Sequence, residues 1–313
     1  MVKWGRRAYS FFEGCMDYVE NYESKVRDAS LLIKQNLKYD KKPVFGIVLG
    51  SGLNDLADCI ENPRVVEYQN ISNFPMTTVS GHEGKLIYGE LEGVTVIGLK
   101  GRKHFYEVAD MPMNMGMLHV IFPVHVLAEL GVQNYFATNA AGGLNPLLQI
   151  SDAMVLKSHI NHMPNPLLGP QHNFKRLDGT PTWRFQPLNE AYDKELTELL
   201  SKAASKYLPR KVIDGTYLAV TGPTYETNGE CIAFRDGLKA DAVGMSTVPE
   251  VIVAKNRGMN CVGFSCITNT IKEDGTNATN HEEVKKILES PETKAMYANI
   301  IKSFFKLYKE RNP

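Results

Sequence analysis

The chain has 313 residues, with 35 Lys and Arg balanced by 35 Asp and Glu. That length can bury a sizeable core without disulfides or metals, and the absence of net charge excludes a broad electrostatic attraction to nucleic acid or membrane. Any charged ligand has to be held by a local site. The five cysteines, at positions 15, 59, 231, 261 and 266, show no Cys-x-x-Cys spacing and read as free thiols of a reducing compartment. The N-terminal stretch has basic residues but no apolar signal-peptide core, and no segment approaches membrane-spanning length, so a cytoplasmic protein is expected.

In chain order, residues 1–40 read as helical decoration on a single domain spanning 1–313. Val44–Leu49 is a near-continuous apolar run, expected to be a buried strand, and it leads into Gly50-Ser51-Gly52-Leu53-Asn54-Asp55. Glycines around a serine after a strand let backbone N–H groups point at an anion, or simply make a tight turn. This stretch is not a dinucleotide fingerprint, because Asp55 stands where the third glycine belongs, and no Walker Lys follows. A second strand, Val94–Leu99, is followed by Lys100–Glu107. Extended chain there would set Arg102, His104 and Tyr106 on one face, and a guanidinium with an imidazole suits an oxyanion. Tyr135–Thr138 reads as a third strand, with the small residues Asn139-Ala140-Ala141-Gly142-Gly143 as a turn beyond it.

The stretch 161–187, rich in Pro, Gly, Asn and His, is too long for a plain connection and reads as a functional or contact loop. Glu190–Leu208 has helical spacing, with Tyr192, Leu196, Leu199, Leu200, Ala203, Ala204 and Tyr207 on one face. Thr216–Val220 is a fourth strand, and Gly222-Pro223-Thr224-Tyr225-Glu226-Thr227 places a carboxylate at its end, before a helical run at 230–234. Ala242–Glu250 carries Ser246 and Thr247 as either a helix cap or a source of hydroxyl and N–H groups at a helix start. Cys261–Phe264 is the fifth strand, with Ile267-Thr268-Asn269 as the turn after it. Asn280 and Glu283 open a last amphipathic run like a capping box.

Strands alternating with helices imply an α/β fold: a mostly parallel mixed central sheet covered by helices on both faces, in a single domain. Five polar loops after five apolar strands imply one composite site at the carboxyl edge of the sheet. An anion corner (Ser51, Arg102, His104, Ser246) would face a neutral hydrogen-bonding corner (Glu226, Asn269). No His, Cys or carboxylate cluster has metal-ligand spacing, and no Gly-x-Ser-x-Gly elbow is present.

These stretches resemble the trimeric, low-molecular-mass purine nucleoside phosphorylases of the nucleoside phosphorylase superfamily. The matching segments are Leu-Gly-Ser-Gly-Leu at 49–53, Ser-Gly-His-Glu-Gly at 80–84, Gly-Arg-x-His-x-Tyr-Glu at 101–107 and Thr-Asn-Ala-Ala-Gly-Gly-Leu-Asn at 138–145. They continue with Gly-Pro-Thr-Tyr-Glu-Thr at 222–227, Ala-Asp-Ala-Val-Gly-Met-Ser-Thr-Val-Pro-Glu at 240–250, Ile-Thr-Asn at 267–269 and Asn-His-Glu-Glu-Val at 280–284. The resemblance implies reversible cleavage of a purine nucleoside by inorganic phosphate, giving free base and α-ribose 1-phosphate, with no cofactor or metal, in a homotrimer serving purine salvage. By the same resemblance phosphate would meet Ser51, His82, Arg102, His104, the backbone at Ala140, and Ser246. Ribose would lie against Tyr106 and Met245 with His281 at the 5′-hydroxyl, and Tyr225, Glu226, Val243 and Asn269 would hold the base.

Asn269 and His281 favour 6-oxopurine ribonucleosides of the inosine and guanosine type over the substrate of the sister methylthioadenosine phosphorylases, which carry a carboxylate and an apolar residue there. A catalytically silent homologue is a rival of another class, and the intact polar set argues against it. Two segments depart from the family. The Met-rich stretch 108–120 is longer than usual; it would either reshape the ribose side of the site or form only a surface helix, and the surface helix is the expectation. The stretch 173–185 is also longer, and either Phe174 or Phe185 could be the residue that, in the family, reaches a neighbouring subunit's site.

Overall fold

The apolar stripe Tyr22, Val26, Ala29, Ile33, Leu37 recurs at helical spacing, and the chain is helical over 14–20 and again from Tyr22 to Leu37 (α1). The computed structural model describes residues 14–38, 41–50, 53–78, 83–112, 114–169, 171–277 and 280–312, and only the backbone at 54, 55 and 281. α1 stops where Lys38 turns left-handed, at φ 44°, and donates its N–H to Lys34 O. All five stripe residues are buried in the main core, and Tyr22 donates its hydroxyl to Leu118 O at 2.8 Å. The described part of the expected decoration is therefore part of the core: its apolar face covers the sheet.

The strands are β1 (Phe45–Leu49), β2 (Glu61–Glu67), β3 (Lys85–Leu91), β4 (Val94–Lys100), β5 (Asn134–Gly143), β6 (Ala153–Asn161), β7 (Asp214–Ala219), β8 (Ala242–Gly244) and β9 (Asn260–Thr270). They form one nine-stranded mixed sheet in the order β2-β3-β4-β1-β5-β8-β7-β6-β9, with β9 also pairing to β5. Five pairings are parallel and four antiparallel among the described residues, in keeping with the expected mostly parallel mixed sheet. Because β9 joins both β6 and β5, the far half of the sheet closes on itself.

Helices cover both faces, and strand alternation divides the core accordingly. Val48, Tyr135, Ala137 and Cys261 belong to the face under α1, α2 (Met115–Glu129) and α5 (Val248–Asn256). Ile47, Leu49, Phe136, Val262 and Phe264 belong to the face under α3 (Lys194–Ala204), α6 (His281–Glu289) and α7 (Pro291–Arg311). Phe45, Phe136, Phe304 and Phe305 pack there with ring centroids 5.1–6.2 Å apart, edge to face in most pairs.

Three further expectations change. The Met-rich stretch leads into α2, which is apolar almost all round and buried along its length, so it is a core helix and not a surface one. The helix expected over Glu190–Leu208 is shorter, with Asp193 capping it by accepting from Leu196 N, and Tyr207 lies outside it, exposed. The expected turns at 139–143 and 267–269 are strand: β5 and β9 pair without interruption from Asn134↔Asn260 to Ala141↔Ile267. Mutual pairing keeps the polar residues extended, because the backbone groups that face the partner strand are satisfied there.

Candidate active site

The site opens where strands part company with β5. Along one edge, β5 pairs with β1 only up to Val48↔Ala137 and meets β8 only from Gly142↔Val243, while β9 occupies the other edge throughout. The backbone between, Thr138 to Ala141, is left for side chains to satisfy, and Arg102 Nη2 donates to Thr138 O. A cavity of about 260 Å3 lies there.

Arg102 follows β4 and is 4% exposed. Its Nη1 donates to Ser246 Oγ and Thr247 Oγ1, both at 3.0 Å, and to Glu250 Oε2 at 2.9 Å. Glu250 sits in the first turn of α5 with its side chain 5% exposed. A guanidinium buried this deeply needs a fixed counter-charge, and Glu250 supplies it. Thr247 takes φ 70°, a positive value that is rare for a β-branched residue. Instead of capping α5, its hydroxyl meets Arg102 and accepts from Asn139 Nδ2 at 2.9 Å. These bonds hold the strained turn and set Ser246 at the cavity wall.

His104 and Tyr106 stack with centroids 5.0 Å apart and 13° between planes. His104 Nδ1 lies 3.2 Å from Glu107 Oε1, which also accepts the His104 backbone N–H at 2.6 Å, and Lys103 Nζ donates to Oε2 at 2.9 Å. Burial alone would raise the Glu107 carboxyl, but the bonds from His104, Thr78 and Lys103 hold it far below the ordinary carboxylate range. It stays ionised and orients the imidazole. Burial pushes the Tyr106 phenol up to about 12.

On the opposite side, β7 delivers the loop carrying Tyr225 and Glu226, and Thr227 then caps α4 (Asn228–Ile232) in a reciprocal capping box with Glu230. Gly222, at φ 64°, is where this loop passes under Met245 and Tyr106. A Cβ there would come within 2.3 Å of Met245 Sδ and 3.3 Å of Tyr106. Burial raises the Glu226 carboxyl, helped by the nearby Glu230 and opposed by a backbone N–H.

Asn269 enters through a bulge. The β5–β9 register skips Thr268 between Ala141↔Ile267 and Gly142↔Asn269, which turns Asn269 across Gly142. A Cβ at 142 would lie 3.0 Å from Asn269 Nδ2, so glycine there lets the amide lie across the strand without having to give way.

The cavity thus gathers Arg102, His104, Tyr106, Ala140, Tyr225, Glu226, Val243, Met245, Ser246 and Asn269. Ser51 and His82 lie outside the described residues, as does the side chain of His281, although Val284 of the same helix lines the cavity. Sequence reasoning missed Glu250, which reads as an ordinary acid in a first helical turn, and the role of Thr247, which reads as a cap. Of the two phenylalanines, Phe174 is 4% exposed, stacked on His125 and lying under the Arg257 guanidinium, whereas Phe185 is 90% exposed. The cysteines are free, as expected. Among the described residues no helix is long and apolar enough to cross a membrane.

A model of the phosphorylase superfamily matches residues 44–304. The chain belongs to this superfamily. It is 43% identical over 288 residues to purine nucleoside phosphorylase 1 of Bacillus subtilis (strain 168), covering 91% of this chain and 99% of the relative. To the purine nucleoside phosphorylase of Bos taurus it is 40% identical, covering 78% and 83% of the two chains. The crystal structure of the Schistosoma mansoni purine nucleoside phosphorylase in complex with inosine superposes with a TM-score of 0.77 at 33% identity, covering 93% of this chain and 97% of that one. Like these relatives, the chain is an enzyme of the phosphorylase type.

Proposed function

We propose that this enzyme is a phosphate-dependent purine nucleoside phosphorylase of inosine- and guanosine-type ribonucleosides, acting in purine salvage as a cytoplasmic homotrimer. One observation carries the reading: a single cavity sets Arg102, His104 and Ser246 against Glu226 and Asn269, with Tyr106 and Met245 between. Phosphate is assigned to the Arg102 corner, with the Ala140 backbone, Ser51 and His82 completing it. Ribose is assigned to Tyr106, Met245 and His281, and the purine to Tyr225, Glu226, Val243 and Asn269.

In this reading a phosphate oxygen forms the bond to C1′ as the C1′–N9 bond breaks, and its electron pair leaves with the purine. The purine then takes a proton from solvent and departs as neutral base, leaving ribose 1-phosphate. Positive charge growing on the ribose faces the phosphate anion. Negative charge growing on the base meets the Asn269 amide, while ionised Glu226 accepts the N–H of the 6-oxopurine edge. Such preorganised donors are typically worth about 10²–10³ in kcat each. Phosphate serves as co-substrate, and the scheme calls on no cofactor or metal. The exposed Phe185 is the side chain suited to reach a neighbouring subunit, since Phe174 is engaged in its own core.

The test is hypoxanthine release from inosine with and without phosphate. Release that depends on phosphate supports the proposal, whereas release indifferent to phosphate indicates a hydrolase.

A further inference from the structure

Asn269 does not set its own orientation. A carboxamide presents a donor on one side and an acceptor on the other, and a half-turn about χ2 exchanges them. Which side faces a purine decides whether the site suits a 6-oxo acceptor or a 6-amino donor. Here Thr268 Oγ1 donates to Asn269 Oδ1 at 2.9 Å, and Asn269 Nδ2 donates to Asn277 Oδ1, also at 2.9 Å. The second contact comes from the loop between β9 and α6, eight residues along the chain and four before His281.

That loop is built to hold a position. Lys272 N donates to Thr276 O and Gly275 N to Lys272 O, while Thr276 N donates to Asp274 Oδ1, closing the turn. Arg235 braces it from outside, donating to the carbonyls of Lys272 and Glu273 at 3.2 and 3.0 Å. Gly275, at φ 83°, lies so close to Asn228 O that a Cβ would fall within 2.4 Å of it. Asn277 therefore stands at the end of a braced turn, half-buried, with its acceptor on Asn269.

We propose that Asn277 is a positioning residue for purine selection: it holds the Asn269 carboxamide with one N–H engaged, leaving the other for the acceptor atoms of a 6-oxopurine and disfavouring a 6-aminopurine. This rests on the assignment of the base to Asn269. The cost of the wrong purine is then two donors set against each other, not a loss of space.

The experiment is a double-mutant cycle on the full-length enzyme, reading kcat/KM for inosine and for adenosine with saturating phosphate. Asn277→Ala is expected to lower the inosine-to-adenosine ratio about fivefold to tenfold, as for loss of one orienting hydrogen bond. In an Asn269→Ala background the same change should leave that ratio unaltered, because there is no carboxamide left to orient. A merely structural role for the loop would depress both nucleosides alike and persist without Asn269, and either result overturns the inference. If the unaltered enzyme releases hypoxanthine only with phosphate, such a failure leaves the proposed function standing. Absence of that activity removes both.

Discussion

The two corners of the cavity are built in opposite ways. At the Arg102 corner nearly every polar group is tied to the protein itself: the guanidinium to Glu250, Ser246, Thr247 and Thr138, and Thr247 in turn to Asn139. At the Glu226 corner the carboxylate is half-buried, and Tyr225 is exposed. The difference follows from charge. A permanent cation sealed from water needs a counter-charge and a full set of acceptors before any ligand arrives. A carboxylate at a cavity mouth can stay partly hydrated until a ligand replaces the water. Disturbing the first corner should therefore harm fold and function together, and disturbing the second should harm function alone.

Arg102→Ala should show the largest effect. It leaves Glu250 buried without its partner, a loss of about 3–5 kcal/mol in denaturant unfolding, and phosphorolysis should fall by about 10³ or more. The double variant Arg102→Met/Glu250→Leu should recover most of the stability and none of the activity. A stable Arg102→Ala would mean that the pair is not buried as described.

Glu226→Ala should lower kcat/KM for inosine by about 10²–10³ while stability stays within about 0.5 kcal/mol. A loss of stability as large as that of Arg102→Ala would erase the contrast between the corners. Next in size, Asn269→Asp should move the inosine-to-adenosine preference by about tenfold or more toward adenosine, because a carboxyl can accept from a 6-amino group. Unchanged selectivity would remove the amide from purine choice.

The smallest effect is in pH dependence. Burial raises the Glu226 carboxyl above its ordinary value, and only its ionised form accepts the purine N–H. Activity should accordingly be retained above that raised pKa and lost as pH falls through it. The acid limb of kcat/KM should lie above the ordinary glutamate range and disappear in Glu226→Gln.

Much of the site was legible because strand-end loops in an α/β sheet gather at one edge. Arg102, His104, Glu226, Ser246 and Asn269 each stood directly after, or close beyond, an apolar run and do line one cavity. What escaped was pairing. β2, with its charged residues and mostly exposed pattern, carries no buried-strand signature, and β8 is only three residues long. Asn139 and Asn269 read as turn residues because small and polar side chains are weak strand formers, yet the β5–β9 ladder overrides that preference. The burial of α2 is written in its almost wholly apolar composition, interrupted only by His119, His125 and Glu129, which its methionine content alone does not convey.

By itself, the sequence determined the fold class and which residue types reach the carboxyl edge of the sheet, because burial periodicity and strand-to-helix punctuation are local properties. Tertiary structure alone decided that β5 is released by β1 before β8 takes it up, that Glu250 answers Arg102 across 148 positions, and that Thr268 bulges to present Asn269 to both the cavity and Asn277. Those outcomes depend on which distant backbone groups and charges satisfy one another, and no window along the chain contains both partners.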